Sequence, residues 1–420
     1  MAMTDLTIVR RSLLGRSFSS VTTILIVAIA VALMLVLVGL SRSAQAAFTR
    51  GTGNAEMLVT REPSPLVSVL NSVFYADAPA VAIPYSDYEE LRSRFPLAWT
   101  VATAMGDSFA GRPVVAAESS FFEFFQPVPG VAWSISEGRF FERELEVVVG
   151  AEAARTSGLT IGESLFLTHG APRDPDAHVH DEYTFTVVGI LEPTDSPHDR
   201  ALFVDLMSSW ILHAHDRRLA ELGPGAPLTR PEDIVEGDKL ITGIYASMGA
   251  RKAALPQILA AIRADPRWTV AQPAQEVSAL FAIVSNVDLV LRAMAGAVLL
   301  SSTASILIAL TGSMEQRRRQ IATLRVLGAS RGRIFGLVLT ESALLGVLGA
   351  ALGAGLAWAG IAAAAGLVEA SVGVGLSATL GLEPVLIVGV AAIALACLAG
   401  IVPAVMAYRT SVIRNLRPLG

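Results

Sequence analysis

One cysteine, two lysines and no histidine outside residues 169–215 set the first limits on this 420-residue chain. With Cys397 alone, no intrachain disulfide can form, so any large domain must be held together by its core. Neither lysine stands in a G-x-x-x-x-G-K-[ST] loop, and without that loop the chain has no P-loop site for ATP. Thirty arginines against two lysines fit a codon bias, so no bidentate chemistry is inferred from them. Charge of either sign is scarce. Charged residues make up 16% of the chain and its mean hydropathy is +0.55, against about 25% charged in an ordinary soluble protein.

The apolar residues fall in four runs: Thr22 to Leu40, Ala293 to Met314, Ile334 to Val368 broken only by Glu341, and Pro384 to Tyr408. A helix needs about 20 such residues to cross a hydrocarbon core of roughly 30 Å, so the sequence predicts four spans. Arg10, Arg11 and Arg16 before the first run, and Ala44-Gln45-Ala46 after it, would also suit a signal peptide. The run is longer than the roughly 7 to 15 residues of a signal-peptide core, and is expected to stay as an anchor.

Arginine placement orients the spans. Residues 1–20 carry three arginines, residues 313–333 carry six (Arg317, Arg318, Arg319, Arg325, Arg331 and Arg333), and the tail after Tyr408 carries Arg409, Arg414 and Arg417, while Gly366 to Glu383 has no Lys or Arg. Cytoplasmic segments hold the excess of positive charge, so both termini and residues 313–333 are expected inside. Residues 44–287 hold 18 basic and 31 acidic side chains, a net of −13 with His neutral, which gives no support to nucleic-acid binding. The expected layout is a cytoplasmic segment 1–20, spans at 21–43, 288–312, 334–366 and 384–408, a large external domain 44–287, a cytoplasmic loop 313–333, an external loop 367–383 and a tail 409–420. The fold class is thus a membrane protein of four transmembrane α-helices, with a large α+β extracytoplasmic domain inserted between the first and second.

Within that domain, strands are predicted at Glu56 to Thr60, Ala98 to Met105, Gly243 to Met248 and Trp268 to Ala271, with helices at Tyr85 to Arg94 and Ala253 to Ala264. These form two βαβ-like units around a middle section, about 113–205. Strand candidates at Glu146 to Val149, Ser164 to Thr168 and Tyr183 to Ile190 mark that section as a mostly β insertion in a split α/β lobe.

Residues Met314 to Gly349 carry a resemblance. Their arginines, the I-x-x-L-R-x-L-G-A-S run at Ile321 to Ser330, and the Gly-rich stretch with an early Glu341 are similar to the core of the FtsX-like permease family, here 289–415. That family supplies membrane subunits of MacB-type ABC transporters. Residues 138–192, with GRFF, VVVGAEAA, the turn Gly162 to Leu167 and FTVVGILEP, resemble the family's external domain. The resemblance implies a non-catalytic permease in the cell inner membrane, with ATP and Mg2+ bound by a separate ATP-binding subunit. It implies docking at Arg317, Arg318, Arg319, Ile321, Leu324, Arg325 and Leu327. Ile321, Leu324 and Leu327 lie at i, i+3 and i+6 as an anchor face. Other expected partners are a second copy of the chain and a periplasmic adaptor, lipoprotein or metal-binding protein. The function expected is export or extraction of a lipoprotein, peptide, amphiphile or metal complex; the alternative is mechanical control of an external cell-wall hydrolase without transport.

Gly346, Gly349 and Gly353, the last two a G-x-x-x-G pair, would allow close helix approach. Glu341 is expected to pair with Arg331 or Arg333, or to snorkel to the interface, and Pro403 to bend the last span. The histidines are the remaining anomaly. His169, His178, His180, His198, His213 and His215 gather within 47 residues, near Asp174, Asp176, Asp181, Glu182, Asp195 and Asp199. No G-x-S-x-G motif stands near them to suggest a hydrolase. Two H-x-H pairs would each set two imidazoles on one side of an extended chain, and imidazole with carboxylate suits Zn2+. His178 and His180 with one distant partner are the expected ligands.

Overall fold

The computed structural model describes residues 5–170, 178–223, 225–372 and 380–409, apart from the side chains at 6, 313, 315–320 and 365–372. Asp174, Asp176, Arg414, Arg417 and the side chains of Arg317, Arg318 and Arg319 therefore lie outside the described residues. The chain divides into a helical unit, Met1–Ser43, Val284–Leu367 and Ala378–Gly420, and an α/β unit built mainly from Ala44–Ile283.

The helices are α1 (Asp5–Leu14), α2 (Ser17–Gly51), α3 (Pro65–Ser72), α4 (Tyr85–Arg94), α5 (Phe121–Phe124), α6 (Ala151–Ser157), α7 (Leu206–Leu222), α8 (Leu255–Arg263), α9 (Pro273–Val326), α10 (Arg331–Val372) and α11 (Leu382–Tyr408). The strands are β1 (Met57–Thr60), β2 (Ile83–Pro84), β3 (Trp99–Phe109), β4 (Arg112–Ala117), β5 (Ile135–Gly138), β6 (Glu146–Val149), β7 (Ser164–Leu165), β8 (Thr168–His169), β9 (His178–Val179), β10 (Phe185–Leu191), β11 (Leu202–Asp205), β12 (Leu240–Ile241), β13 (Gly243–Ser247) and β14 (Thr269–Ala271).

β1 lies antiparallel between β13 and β14, and β13 lies antiparallel between β1 and β3. The two expected βαβ-like units, β1-α4-β3 and β13-α8-β14, thus interleave in a ferredoxin-like arrangement, each placing one of its strands inside the other. The stretch 113–205, expected as a mostly β insertion in a split α/β lobe, supplies strands to the same sheet. β4 pairs with β3 through Thr103↔Ala117 and Ala104↔Ala116, and β11, β6, β10 and β5 follow in order, so the same sheet continues through it. The single strand expected at Ser164 to Thr168 is two. β7 pairs with β10 and β8 with β3, and the chain crosses between them.

Alternation along the strands explains why both faces of the sheet are buried. Met57, Val59, Val147, Val149, Leu202 and Val204 enter one core, with Tyr88 and Leu91 of α4, Trp210 of α7 and Ile262 of α8. Their neighbours Leu58, Val148 and Phe203 enter the other, with Val69 of α3, Phe121 of α5 and Val277 of α9. Two buried faces demand apolar residues at successive positions, which is why MLV in β1 and VVV in β6 read as unbroken apolar runs.

In the helical unit, α2, α9, α10 and α11 are each long and apolar enough to cross a membrane. Residues 313–333 are not a loop: α9 stays helical through Val326 and α10 starts at Arg331. The expected loop 367–383 is also helical at its start, since α10 runs to Val372. Pro403 lies inside α11, which continues to Tyr408. A Cβ at Gly346 would sit 2.8 Å from Ala396 Cβ of α11, one at Gly349 2.6 Å from Val27 Cγ1 of α2, and one at Gly353 2.7 Å from the Ala28 carbonyl. Gly353→Val is expected to destabilise the bundle by about 1–3 kcal/mol through forced separation of α10 from α2. Thermal unfolding in detergent checks this; a melting temperature equal to wild type would count against close packing there.

Candidate functional site

The turn between α9 and α10 is built by three small residues. Gly328 adopts a left-handed φ of +95°, and the Gly328 and Ala329 amides donate to the Arg325 and Leu324 carbonyls (3.1 and 3.0 Å), closing α9 in a Schellman motif. Ser330 then caps α10, its Oγ accepting from the Arg333 amide at 3.2 Å. The L-G-A-S run is a stop and a start signal in consecutive residues. Ile321 is buried with Met314, Ile334, Val338 and Ala404, whereas Leu327 is 79% exposed and Leu324 half-buried. The three do not form one outward face: Ile321 belongs to the chain's own core, and Leu327 projects from the turn.

Glu341 pairs with neither arginine expected. It is buried, accepts from Ser12 Oγ at 2.9 Å and lies 3.5 Å from the Arg16 guanidinium. Arg333 pairs instead with Asp5 at 2.6 Å, and Arg331 lies over the Tyr408 ring. The N-terminal segment thus supplies the partners through a contact more than 300 residues apart in sequence. Beside it, Ile8, Val9 and Ser12 of α1 line a cavity of about 430 Å3 with Met314, Ile321 and Leu324 of α9 and Leu337 of α10.

Four of the six histidines converge in the α/β unit. β3 pairs with β8 through Asp107↔His169, and β8 pairs with β9 through His169↔His178, so these three side chains form a row across adjacent strands. His180 follows His178 on the same side, as an extended H-x-H requires. α7 adds His213 and Asp216, three residues apart on one helical face. His169 Nδ1 lies 3.2 Å from Asp107 Oδ1, His213 Nε2 3.8 Å from Asp107 Oδ2, His178 Nε2 3.2 Å and His180 Nδ1 3.7 Å from Asp216 Oδ1. The other nitrogen of His180 faces Asp107 Oδ1 at 3.8 Å. Burial by itself would raise the Asp107 carboxyl; the imidazoles of His169, His180 and His213 outweigh it and hold the group well below the usual carboxylate range.

The other two histidines lie elsewhere. His215 Nδ1 meets Thr229 Oγ1 at 3.2 Å under the Tyr183 ring, and His198 is buried beside Tyr75, Phe125 and Trp133. The H-x-H at 213–215 splits because it is helical: at about 100° per residue, positions i and i+2 point nearly opposite ways. Asp107 and Asp216 were not among the sequence candidates. The helical spacing of His213 and Asp216 was readable, but only the pairing of β3 with β8 brings Asp107 to the cluster.

Residues 20–264 match the family described as MacB-like periplasmic core domain, and residues 292–412 match FtsX-like permease C-terminal. Uncharacterized ABC transporter permease protein Rv0987 of Mycobacterium tuberculosis is 27% identical over 217 residues, 51% of this chain and 22% of that protein. The chain thus spans about a fifth of that relative's length. The extracellular domain of the noncanonic ABC-type transporter YknZ from Gram-positive bacteria aligns with 51% of this chain and 98% of its own, at 10% identity and a TM-score of 0.28. With both family matches covering the α/β unit and the helices that follow it, the chain belongs to the FtsX/MacB family of ABC transporter permeases.

Proposed function

We propose that this permease works with a separate ATP-binding subunit docked at the arginine-bearing end of α9, and turns its nucleotide cycle into movement of the α/β domain. Both termini and the α9–α10 turn are cytoplasmic in this reading, the membrane is the cell inner membrane, and a second copy of the chain completes the membrane unit. The observation that supports it most is α9 itself. Its 54 residues would extend about 80 Å, well beyond the roughly 30 Å of a hydrocarbon core. Val277 near its start packs in the domain core, and Ile321 near its end packs with α10. α9 has no proline after Pro273, and in this reading it passes a displacement along its length. α2, 35 residues long, offers a second such element, and Phe48 near its end meets Phe281 of α9 edge to face within the α/β unit. The work done outside is export or extraction of a lipoprotein, peptide, amphiphile or metal complex.

The test separates docking from folding. Leu327→Asp places a charge where an apolar contact is proposed, and should cut co-purification of the ATP-binding subunit at least tenfold while leaving the melting temperature of the permease unchanged. Ile321→Asp should instead unfold the membrane unit. Retention of the ATPase by the Leu327→Asp chain at wild-type levels would place docking elsewhere.

A further inference from the structure

We propose that the cluster of Asp107, His169, His178, His180, His213 and Asp216 is a site for a divalent first-row transition metal, Zn2+ being the best fit. Asp107, His169 and His213 form one group whose ligand atoms lie within 4.8 Å of one another, and His178, His180 and Asp216 form a second. Ligands around a tetrahedral Zn2+ with bonds near 2.0 Å stand about 3.3 Å apart, and the imidazole–carboxylate pairs within the two groups stand 3.2–3.8 Å apart.

Two further observations point to a ligand rather than to a self-satisfied hydrogen-bond network. His180 is 1% exposed, yet among the described residues its Nε2 has no hydrogen-bond partner, and the buried Nε2 of His213 has none either. A buried ring nitrogen without a partner is costly unless something accepts its lone pair, and both nitrogens face Asp107 across a gap that a metal ion would fill. His180 also presents its Nδ1 to Asp216, so a single imidazole adjoins both groups. Imidazole nitrogen with carboxylate oxygen selects Zn2+ and its neighbours over Ca2+ or Mg2+, which take oxygen sets. Each group brings three ligand atoms together among the described residues. The ligands come from three strands, from the residue that follows β9 and from α7, so an occupied site would tie α7 to β8 and β9.

The full chain in detergent, stripped of metal, would be titrated with Zn2+ against a chromophoric competing chelator, and with Co2+ to read coordination from its visible absorption. Expected is saturable binding of about one Zn2+ for each three-ligand group, an intense tetrahedral Co2+ spectrum, and a rise in melting temperature with Zn2+. His178→Gln/His180→Gln and His169→Gln/His213→Gln should each weaken binding at least tenfold, while Asp181→Asn, an exposed neighbour outside both groups, should bind as wild type does. Circular dichroism of each variant without metal checks that it is folded. No saturable Zn2+ binding by wild type, or equal binding by wild type and a folded variant lacking all four histidines, would overturn the proposal.

Discussion

Replacing Arg16 with methionine should destabilise the helical unit by about 3–5 kcal/mol, the usual effect of removing one partner from a buried ion pair. Glu341 is only 2% exposed, and Arg16 is the cation paired with it at 3.5 Å. Methionine fills much of the same space but cannot compensate the charge, and the neutral Ser12 hydroxyl that donates to Glu341 does not replace it. The further replacement Glu341→Gln should recover most of the loss, because a neutral amide can keep the Ser12 contact without a buried charge. The same damage should loosen α1, which would appear as faster proteolysis at residues 5–14 of the purified chain. A single variant within about 1 kcal/mol of wild type in thermal unfolding, or a double variant no better than the single, would show that the pair does not hold this segment.

Acid should unfold the α/β unit in a window set by His198. Burial, with the cationic Arg200 nearby, holds this imidazole down at about 3, against about 6.5 in an unfolded chain. Below pH 6.5 the unfolded state therefore binds a proton that the folded state refuses. Stability is complete above pH 6.5 and is lost as pH falls toward 3, by about 1.4 kcal/mol per unit, or roughly 2–3 kcal/mol by pH 4.5. Tyr75, whose hydroxyl lies 2.5 Å from His198 Nδ1, is itself pushed up by burial and stays neutral throughout. Denaturant unfolding at pH 7 and pH 4.5 would read the loss, and His198→Gln, which cannot titrate, should show a smaller drop by that amount. Parallel losses in wild type and variant would assign the acid sensitivity to other groups.

Properties that depend on a short window of residues were legible in the sequence. The four helices long and apolar enough to cross a membrane follow from apolar runs, since a bilayer sets a length that no distant contact alters. α4 and β6 have the bounds predicted for them, because local periodicity decides them, and Gly328 and Ser330 stop and start two helices through contacts within a few residues. Whether a stretch is helix or strand also decides where its neighbours point. Read as extended chain, His213 and His215 were expected together; wound into α7, one faces Asp107 and the other Thr229. What only tertiary structure decided are the pairings between distant segments: β3 with β4, which carries one sheet into residues 113–205, β3 with β8, which brings Asp107 to the histidines, and the turn after α1 with α10, which gives Glu341 the arginine at position 16. In each case the residue types were plain from the start. Their partners lay tens to hundreds of positions away, and only the folded backbone selects among the many charges and strand edges that would satisfy them equally well.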